Sequence, residues 1–186
     1  MPRVITGKYK GAVLMAPKGD NTRPTTDKVK ESLFSMIQMD VPDANVLDLF
    51  AGTGQIGIES VSRGAKSAVM VDKAGSAIAM IKRNLEKIHA ENDDAFRVIK
   101  APISSALETL GAEGAKFDII FLDPPYKIAF DMAKEVANKI KELNLLSEGG
   151  IMIVEHSSDL PFNSEEVGME FKRSCTYGLT VITFFK

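Results

Sequence analysis

Between about residues 45 and 155, short apolar runs alternate with stretches of helical periodicity, and this alternation restricts the fold more than any other feature. The apolar runs are residues 45–50, 68–72, 96–101, 117–122 and 150–155. The helical stretches are 56–63, 76–89, 103–110 and 130–143. In the second of these, Ile78, Ile81, Leu85 and Ile88 form one apolar stripe. Strands that alternate with helices become parallel neighbours, so the chain predicts an α/β fold with helices on both faces of a mostly parallel sheet. Two further apolar runs, 169–176 and 179–185, meet at Tyr177-Gly178 and predict a terminal antiparallel hairpin.

The first 40 residues differ in kind. Residues 3–5 and 12–15 predict a small β-hairpin, and 27–37 a helix with Val29, Leu33, Met36 and Ile37 on one face, capped by Thr25 or Thr26. The expectation is a basic appendage over 1–40 beside a main domain over 41–186, in a single compact unit without linkers or repeats. Net charge is only −2, but residues 1–30 carry seven basic side chains against two acidic ones, +5, leaving −7 on the remaining 156. Phosphate recognition needs a local basic face, not a basic protein. A solvated tail is the competing explanation for such a charge run.

Other features narrow the class. The longest apolar runs, such as 119–122 and 151–154, are far too short to span a membrane. The first residues lack the apolar stretch of a secretory signal, so a cytoplasmic protein is expected. A single cysteine, Cys175, excludes a disulfide framework and an all-cysteine metal site; no metal is expected. Cys175 is expected as a small apolar filler and His89 as a surface or capping residue; His156 follows the last parallel strand and could approach the site, but no partner for a catalytic role is visible and none is expected.

The first core strand runs into Phe50-Ala51-Gly52-Thr53-Gly54-Gln55-Ile56-Gly57, a G-x-G-x-x-G pattern between strand and helix. Absent Cβ atoms let a ligand approach the backbone, and the helix N-terminus offers unpaired N–H groups. Asp72, with Lys73 beyond it, ends the second strand 18 residues after Gly54, where a carboxylate can hold both hydroxyls of a ribose. A nucleotide-like ligand follows, of nicotinamide or adenosylmethionine type. Asp48 separates the two: a carboxylate there repels a pyrophosphate and attracts an ammonium or sulfonium.

The fourth run ends in Asp123-Pro124-Pro125-Tyr126. Two prolines fix the backbone and remove two donors, leaving a rigid turn with free carbonyls, a carboxylate and an aromatic ring. An exocyclic amine is a poor nucleophile because its lone pair is delocalised. The Asp123 carboxylate and Pro124 carbonyl can hold its hydrogens while Tyr126 stacks on the base. An ordinary strand stop is the bland alternative, but the neighbouring glycine loop makes the combination far more specific.

These motifs resemble those of the RsmD-type 16S ribosomal RNA guanine-N2 methyltransferases along nearly the whole chain. The similarity runs through Arg3-Val4-Ile5-Thr6-Gly7, Thr22-Arg23-Pro24-Thr25, Lys30-Glu31-Ser32-Leu33-Phe34, Leu47-Asp48-Leu49-Phe50, Ser62-Arg63-Gly64-Ala65 and Asp123-Pro124-Pro125-Tyr126. The resemblance implies a class I methyltransferase fold, S-adenosylmethionine as cofactor, and a guanine of 16S rRNA in the 30S subunit or a late assembly intermediate. It implies a cofactor site of Asp48, Phe50, Ala51, Gly52, Thr53, Gly54, Asp72, Lys73, Ala101 and Ile103. Asp123, Pro124, Pro125 and Tyr126 are the expected catalytic turn, and Arg3, Lys8, Lys10, Arg23 and Lys127 the expected RNA contacts, in a monomer. Where many relatives have a polar residue for the adenine, this chain has Lys100-Ala101-Pro102-Ile103, so backbone and apolar contacts are expected there. A DNA adenine-N6 or protein-amine methyltransferase, or a nicotinamide-dependent oxidoreductase, are the alternatives.

Overall fold

The computed structural model describes residues 2–16 and 27–186. Arg23, the segment 22–25 and the proposed Thr25 or Thr26 cap lie outside the described residues. Helix α1 (Asp27–Met36) leads into β1 (Asn45–Leu49), and alternation follows: α2 (Gln55–Ser62), β2 (Ser67–Asp72), α3 (Gly75–Lys87), β3 (Phe96–Lys100), α4 (Ile103–Ala112), β4 (Phe117–Leu122), α5 (Ala129–Glu142) and β5 (Leu146–Ser157). The chain continues into β6 (Phe171–Tyr177) and β7 (Thr180–Phe185). All seven strands form one sheet in the order β3-β2-β1-β4-β5-β7-β6. The first five pair in parallel, while β7 runs antiparallel to β5 and β6. Strand order reverses between β1 and β4, the place where open α/β sheets bind ligands.

Period-two alternation sorts the strand residues. Leu47, Leu49, Ile120, Leu122, Met152 and Val154 bury one face against α4 and α5. Val46, Ile119, Phe121, Ile151 and Ile153 bury the other against α1 and α2. The α3 stripe packs as its spacing predicts, with Ile81, Leu85 and Ile88 in a cluster with Met70, Val4 and Leu14. Gly57 permits close packing of α2, because a Cβ there would lie 2.7 Å from Met70 Cγ.

Two elements differ from expectation. The fifth strand begins at Leu146, not residue 150. Leu146 pairs with Phe117, the register then shifts, and Ile151 pairs with Ile119. Gly149 and Gly150 absorb the irregularity, Gly149 with φ +76°, and a glycine pair inside a strand hides its beginning from an apolar-run reading. The N-terminal hairpin reduces to a single antiparallel bridge, Arg3 with Val13. Around it Val4 N–H donates to the Ala12 carbonyl (2.9 Å) and Leu14 N–H to the Pro2 carbonyl (2.8 Å), and beyond it the amides turn to α2: Ile5 and Thr6 N–H donate to the Glu59 carboxylate (2.8 and 3.1 Å), and Lys8 and Tyr9 N–H donate to the Ser62 carbonyl and hydroxyl (2.8 and 2.9 Å). Gly7 lies at φ +89°, where a Cβ would sit 1.6 Å from the Ser62 carbonyl oxygen, so only glycine fits.

Glu59 is wholly buried and gathers three segments. Besides the two amides, it faces Lys30 Nζ of α1 at 3.5 Å and Arg63 Nε at 2.7 Å. Lys30, also fully buried, donates to the Arg3 carbonyl at 2.5 Å. Burial lowers the Lys30 pKa, and the facing Glu59 opposes that shift. Breaking such a buried pair leaves an uncompensated charge and costs about 3–5 kcal/mol. Glu59→Ala should therefore lower the melting temperature by about 10 °C, read by calorimetry. A shift under about 2 °C would show that the network contributes little.

Candidate active site

The site lies at the carboxyl ends of β1, β2, β3, β4 and β5. After β1 the chain turns through Phe50, Gly52 and Gly54 at φ +65°, +54° and +77°. A non-glycine residue held at positive φ stores strain of the kind that collects at functional loops. The turn is fastened by Ala51 N–H to the Val71 carbonyl (3.0 Å) and Gly54 N–H to the Ala51 carbonyl (2.7 Å). A Cβ on Gly54 would lie 3.0 Å from Met70 Sδ, so the loop lies tight on β2 and α3.

Asp72 fixes the loop from the neighbouring strand. One carboxylate oxygen accepts the Gly52 N–H at 3.0 Å and the other the Ala74 N–H at 2.8 Å. Each oxygen keeps acceptor capacity for a hydroxyl. Lys73 is exposed beyond it. Ala101 donates its N–H to the Asp72 carbonyl at 3.2 Å, and Ala101 and Ile103, partly exposed, form an apolar wall on the next strand end. Thr53 is half-exposed, and its carbonyl accepts a hydrogen bond from Asn84 Nδ2 at 2.9 Å.

Asn84 and Gln55 escaped sequence reading. Asn84 of α3 is fully buried; it also donates to the Met15 carbonyl (3.1 Å) and accepts the Met15 N–H (2.7 Å). The available signal was a polar residue adjoining the apolar stripe of Ile81 and Leu85. Gln55 is 7% exposed, and its Oε1 is the one buried side-chain oxygen without a hydrogen-bond partner among the described residues. An orphaned acceptor at the start of α2, directly after the glycine loop, fits a ligand that carries a donor.

The Asp123-Pro124-Pro125-Tyr126 turn follows β4. Asp123 N–H reaches the Leu49 carbonyl at 3.4 Å, tying the turn to the end of β1. Pro124 is buried, Pro125 and Lys127 are exposed, and Asp123 and Tyr126 are partly exposed. Tyr126 opens a one-turn helix, and its hydroxyl lies 3.3 Å from Glu155 Oε1 and 3.4 Å from Thr180 Oγ1. Glu155, the third residue missed by sequence, is 1% exposed at the end of β5.

Asp48, Asp123 and Glu155 therefore gather at the ends of three adjacent strands. Burial raises the Asp48 pKa to about 7, with the Gly57 N–H at 3.1 Å acting against the shift and Asp72 adding to it. Burial, then Glu155, then Asp48 hold the Asp123 pKa well above the ordinary carboxylate range. A cationic ligand offsets this accumulated charge, whereas a pyrophosphate would add to it. Among the described residues no group of three His, Cys, Asp or Glu side chains is placed to hold a metal ion.

The basic residues lie elsewhere. Arg3 pairs with Asp27 at 3.0 Å, and Lys8 with Asp93 at 3.3 Å, both arginine and lysine side chains being 65% exposed. Asp93 precedes β3 and Ser62 ends α2, so Lys8 sits toward the amino edge of the sheet. A strand of five or six residues is about 17–20 Å long, which separates Lys8 from the turn. Lys10 is exposed; Lys30, counted in the N-terminal charge, is withdrawn from the surface. His156 stacks on Phe162 at 3.8 Å between centroids and meets Thr183 Oγ1 at 2.9 Å, with its pKa lowered by burial. Cys175 is half-buried, with its sulfur 3.4 Å from Met36 Sδ.

Strand order, terminal antiparallel pair and positioned glycine loop define a class I methyltransferase fold. Residues 2–186 match the family described as conserved hypothetical protein 95. YlbH of Bacillus subtilis (strain 168) is 39% identical over 184 residues, 99% of this chain and 98% of that protein. Ribosomal RNA small subunit methyltransferase D of Escherichia coli (strain K12) is 32% identical over 153 residues, 82% of this chain and 73% of that protein. Among solved structures, a hypothetical protein of Thermus thermophilus superposes with a TM-score of 0.83 at 26% identity, covering 100% of this chain and 99% of that one. The chain belongs to this family, the RsmD family of its resemblance.

Asp48 gives the site a pH signature. A carboxyl whose folded pKa exceeds its unfolded value binds more protons when folded, so stability falls as pH rises from about 4 to about 7. Asp48→Asn keeps an acceptor for the Gly57 N–H and removes the buried charge. The ligand-free variant should melt a few degrees above the parent protein at pH 8 and equal it near pH 4. Parallel melting curves across that range would show that Asp48 is not titrating there.

Proposed function

We propose that this protein transfers the methyl group of S-adenosylmethionine to the exocyclic N2 amine of a guanine in 16S rRNA, presented by the 30S subunit or a late assembly intermediate. The observation that carries the reading is the Asp-Pro-Pro-Tyr turn beside the glycine loop at the β1–β4 switch point, in a chain of this family. The named function of the Escherichia coli relative, small subunit rRNA methylation, supports the substrate class.

The donor set fits the cofactor. Gly52 and Gly54 leave its backbone cradle open, Asp72 can hold its ribose, and Ala101 with Ile103 can cover its adenine. Gln55 and the buried carboxyls suit its ammonium and sulfonium. Bound there, S-adenosylmethionine supplies an electrophilic methyl group.

The chain's own groups do the positioning. The Asp123 carboxylate and the Pro124 carbonyl accept the two amine hydrogens and favour a pyramidal nitrogen with its lone pair directed at the methyl. Tyr126 stacks on the base, which is out of its helix. After transfer the nitrogen is cationic and loses a proton to Asp123 or to water. Catalysis is then mainly orientation and electrostatics. Residues 1–40 form the docking appendage in this reading, with Arg3, Lys8, Lys10 and Arg23, and Lys127 beside the turn, meeting phosphates. The reading also makes the protein a cytoplasmic monomer.

The direct experiment is transfer from labelled cofactor into purified 30S subunits, with the nucleoside identified by mass spectrometry. N2-methylguanosine is expected; another nucleoside would overturn the reading. Asp123→Ala should abolish turnover and leave S-adenosylhomocysteine affinity within a few-fold; near-normal turnover would remove the turn from the chemistry. Asp72→Ala loses charge-assisted hydrogen bonds worth about 1.5–3 kcal/mol, so cofactor affinity should fall roughly 10- to 150-fold. An unchanged dissociation constant would place the ribose elsewhere.

Phosphate docking makes subunit affinity fall with salt. Replacing Lys8, Lys10 and Arg23 with alanine should flatten the logarithmic slope by about one unit per lost contact. The same slope and affinity in the triple variant would reduce the appendage to a solvated tail.

A further inference from the structure

We propose that Asn84 is a positioning residue that ties the glycine loop to the N-terminal appendage, so that cofactor and RNA bind cooperatively. The inference rests on the proposed function, which puts the cofactor on that loop and phosphates on that appendage. It adds how the two sites act on each other.

Spacing sets Asn84 within the apolar stripe of α3, three residues after Ile81 and four before Ile88. A polar side chain in such a stripe faces the core and needs its partners there. Asn84 finds them in two separate segments. Its Oδ1 accepts the Met15 N–H at 2.7 Å, and its Nδ2 donates to the Met15 carbonyl at 3.1 Å. This double pairing fixes which way the amide faces, because the N–H requires the oxygen and the carbonyl requires the nitrogen. The second Nδ2 hydrogen is left for the Thr53 carbonyl, 2.9 Å away, and the whole side chain is out of water.

Each segment belongs to one site. Thr53 stands between Gly52 and Gly54 in the loop that cradles the cofactor under the proposed function. Met15 ends the described stretch that bridges back to Arg3, where Val13 pairs with Arg3 and the Leu14 N–H donates to the Pro2 carbonyl at 2.8 Å. Apolar packing repeats the connection. A Cβ on Gly54 would lie 3.2 Å from Ile81 Cγ1, and Ile81 shares a buried cluster with Val4 and Leu14. Helix α3 thus supports loop and appendage from one face, and Asn84 is the polar joint between them. If either segment moves away, a buried amide and a carbonyl lose their partner, which is costly away from water. Whichever ligand binds first therefore orders both segments, and the second meets a protein already arranged for it. Thermodynamic linkage makes the gain in affinity equal in both directions.

The test measures S-adenosylhomocysteine affinity with and without 30S subunits, subunit affinity with and without S-adenosylhomocysteine, and amide hydrogen exchange. In the unaltered protein each ligand should tighten the other by about 5- to 30-fold. S-adenosylhomocysteine alone should slow exchange at the Leu14 and Met15 amides by a similar factor. Asn84→Ala should bring the coupling factor close to one while each ligand still binds alone. Ile88→Ala loosens the same helix through apolar packing and leaves the three hydrogen bonds, so it should keep the coupling. That contrast separates a joint from a general loss of stability. Unchanged subunit affinity, or unchanged exchange at Leu14 and Met15, with S-adenosylhomocysteine bound to the unaltered protein would overturn the proposal without any variant. Coupling that persists in Asn84→Ala, or that disappears equally in Ile88→Ala, would overturn it too. Failure of the unaltered protein to bind S-adenosylhomocysteine at all would instead overturn the cofactor reading itself.

Discussion

The buried Glu59 carboxylate is the constraint on which the rest of the arrangement depends. It holds the amides of Ile5 and Thr6, the ammonium of Lys30 and the guanidinium of Arg63. These groups come from the N-terminal segment, α1 and α2, so one side chain joins three stretches that share no strand pairing. Helix α2 is also the element whose N-terminus follows the glycine loop. A shift of the helix to suit a ligand at one end would therefore strain the clamp at the other. Gly7 sharpens the constraint, since the Ser62 carbonyl occupies the place of its missing Cβ. Cooperation of this kind braces the glycine loop through α2, and a preformed site loses less ordering entropy on binding.

Rigidity also explains how the sheet tolerates its charge. Asp48, Asp123 and Glu155 lie on one face at the ends of adjacent strands, where burial raises the pKa of Asp48 and Asp123. Such a cluster opposes folding, and a core optimised for stability alone would not contain it. Cations and hydrogen-bond donors relieve it. Under the proposed function, a positively charged ligand and a donor-bearing base offset that cost.

Legibility in the sequence followed the range of the interaction. Strands, helices, the glycine loop and the Asp-Pro-Pro-Tyr turn rest on local periodicity, turn chemistry and a short motif, and each stands where its pattern indicates, apart from the early start of β5 at its glycine pair and the N-terminal hairpin, which is a single bridge. Asp72 was legible because its distance from Gly54 is fixed by one helix and one strand. Glu155 was not: its place beside Asp123 exists only through the β4–β5 register, 32 residues apart in the chain. Asn84 and Gln55 read as ordinary helix polar residues until the fold brings Thr53 and the glycine loop to them. Lys30 shows the opposite error, since composition counts it as surface charge while Glu59 and the Arg3 carbonyl hold it inside.

The position of Lys8 changes what the N-terminal charge can do. It stands against Asp93 toward the amino edge of the sheet, about one strand length from the turn. Under the proposed function it cannot touch the reacting base; it can meet only backbone phosphates some distance away. Phosphate contacts fix register without reading sequence. Selection then has two parts: a distance between phosphate docking and base pocket, and the exocyclic amine held at Asp123. The distance is a reliable gauge only if appendage and pocket move as one body, which is what the Glu59 clamp enforces. A flexible free rRNA presents many such distances, and a folded subunit presents one. Under the proposed function, a fixed spacing between appendage and pocket therefore favours a guanine that a folded subunit presents at one distance.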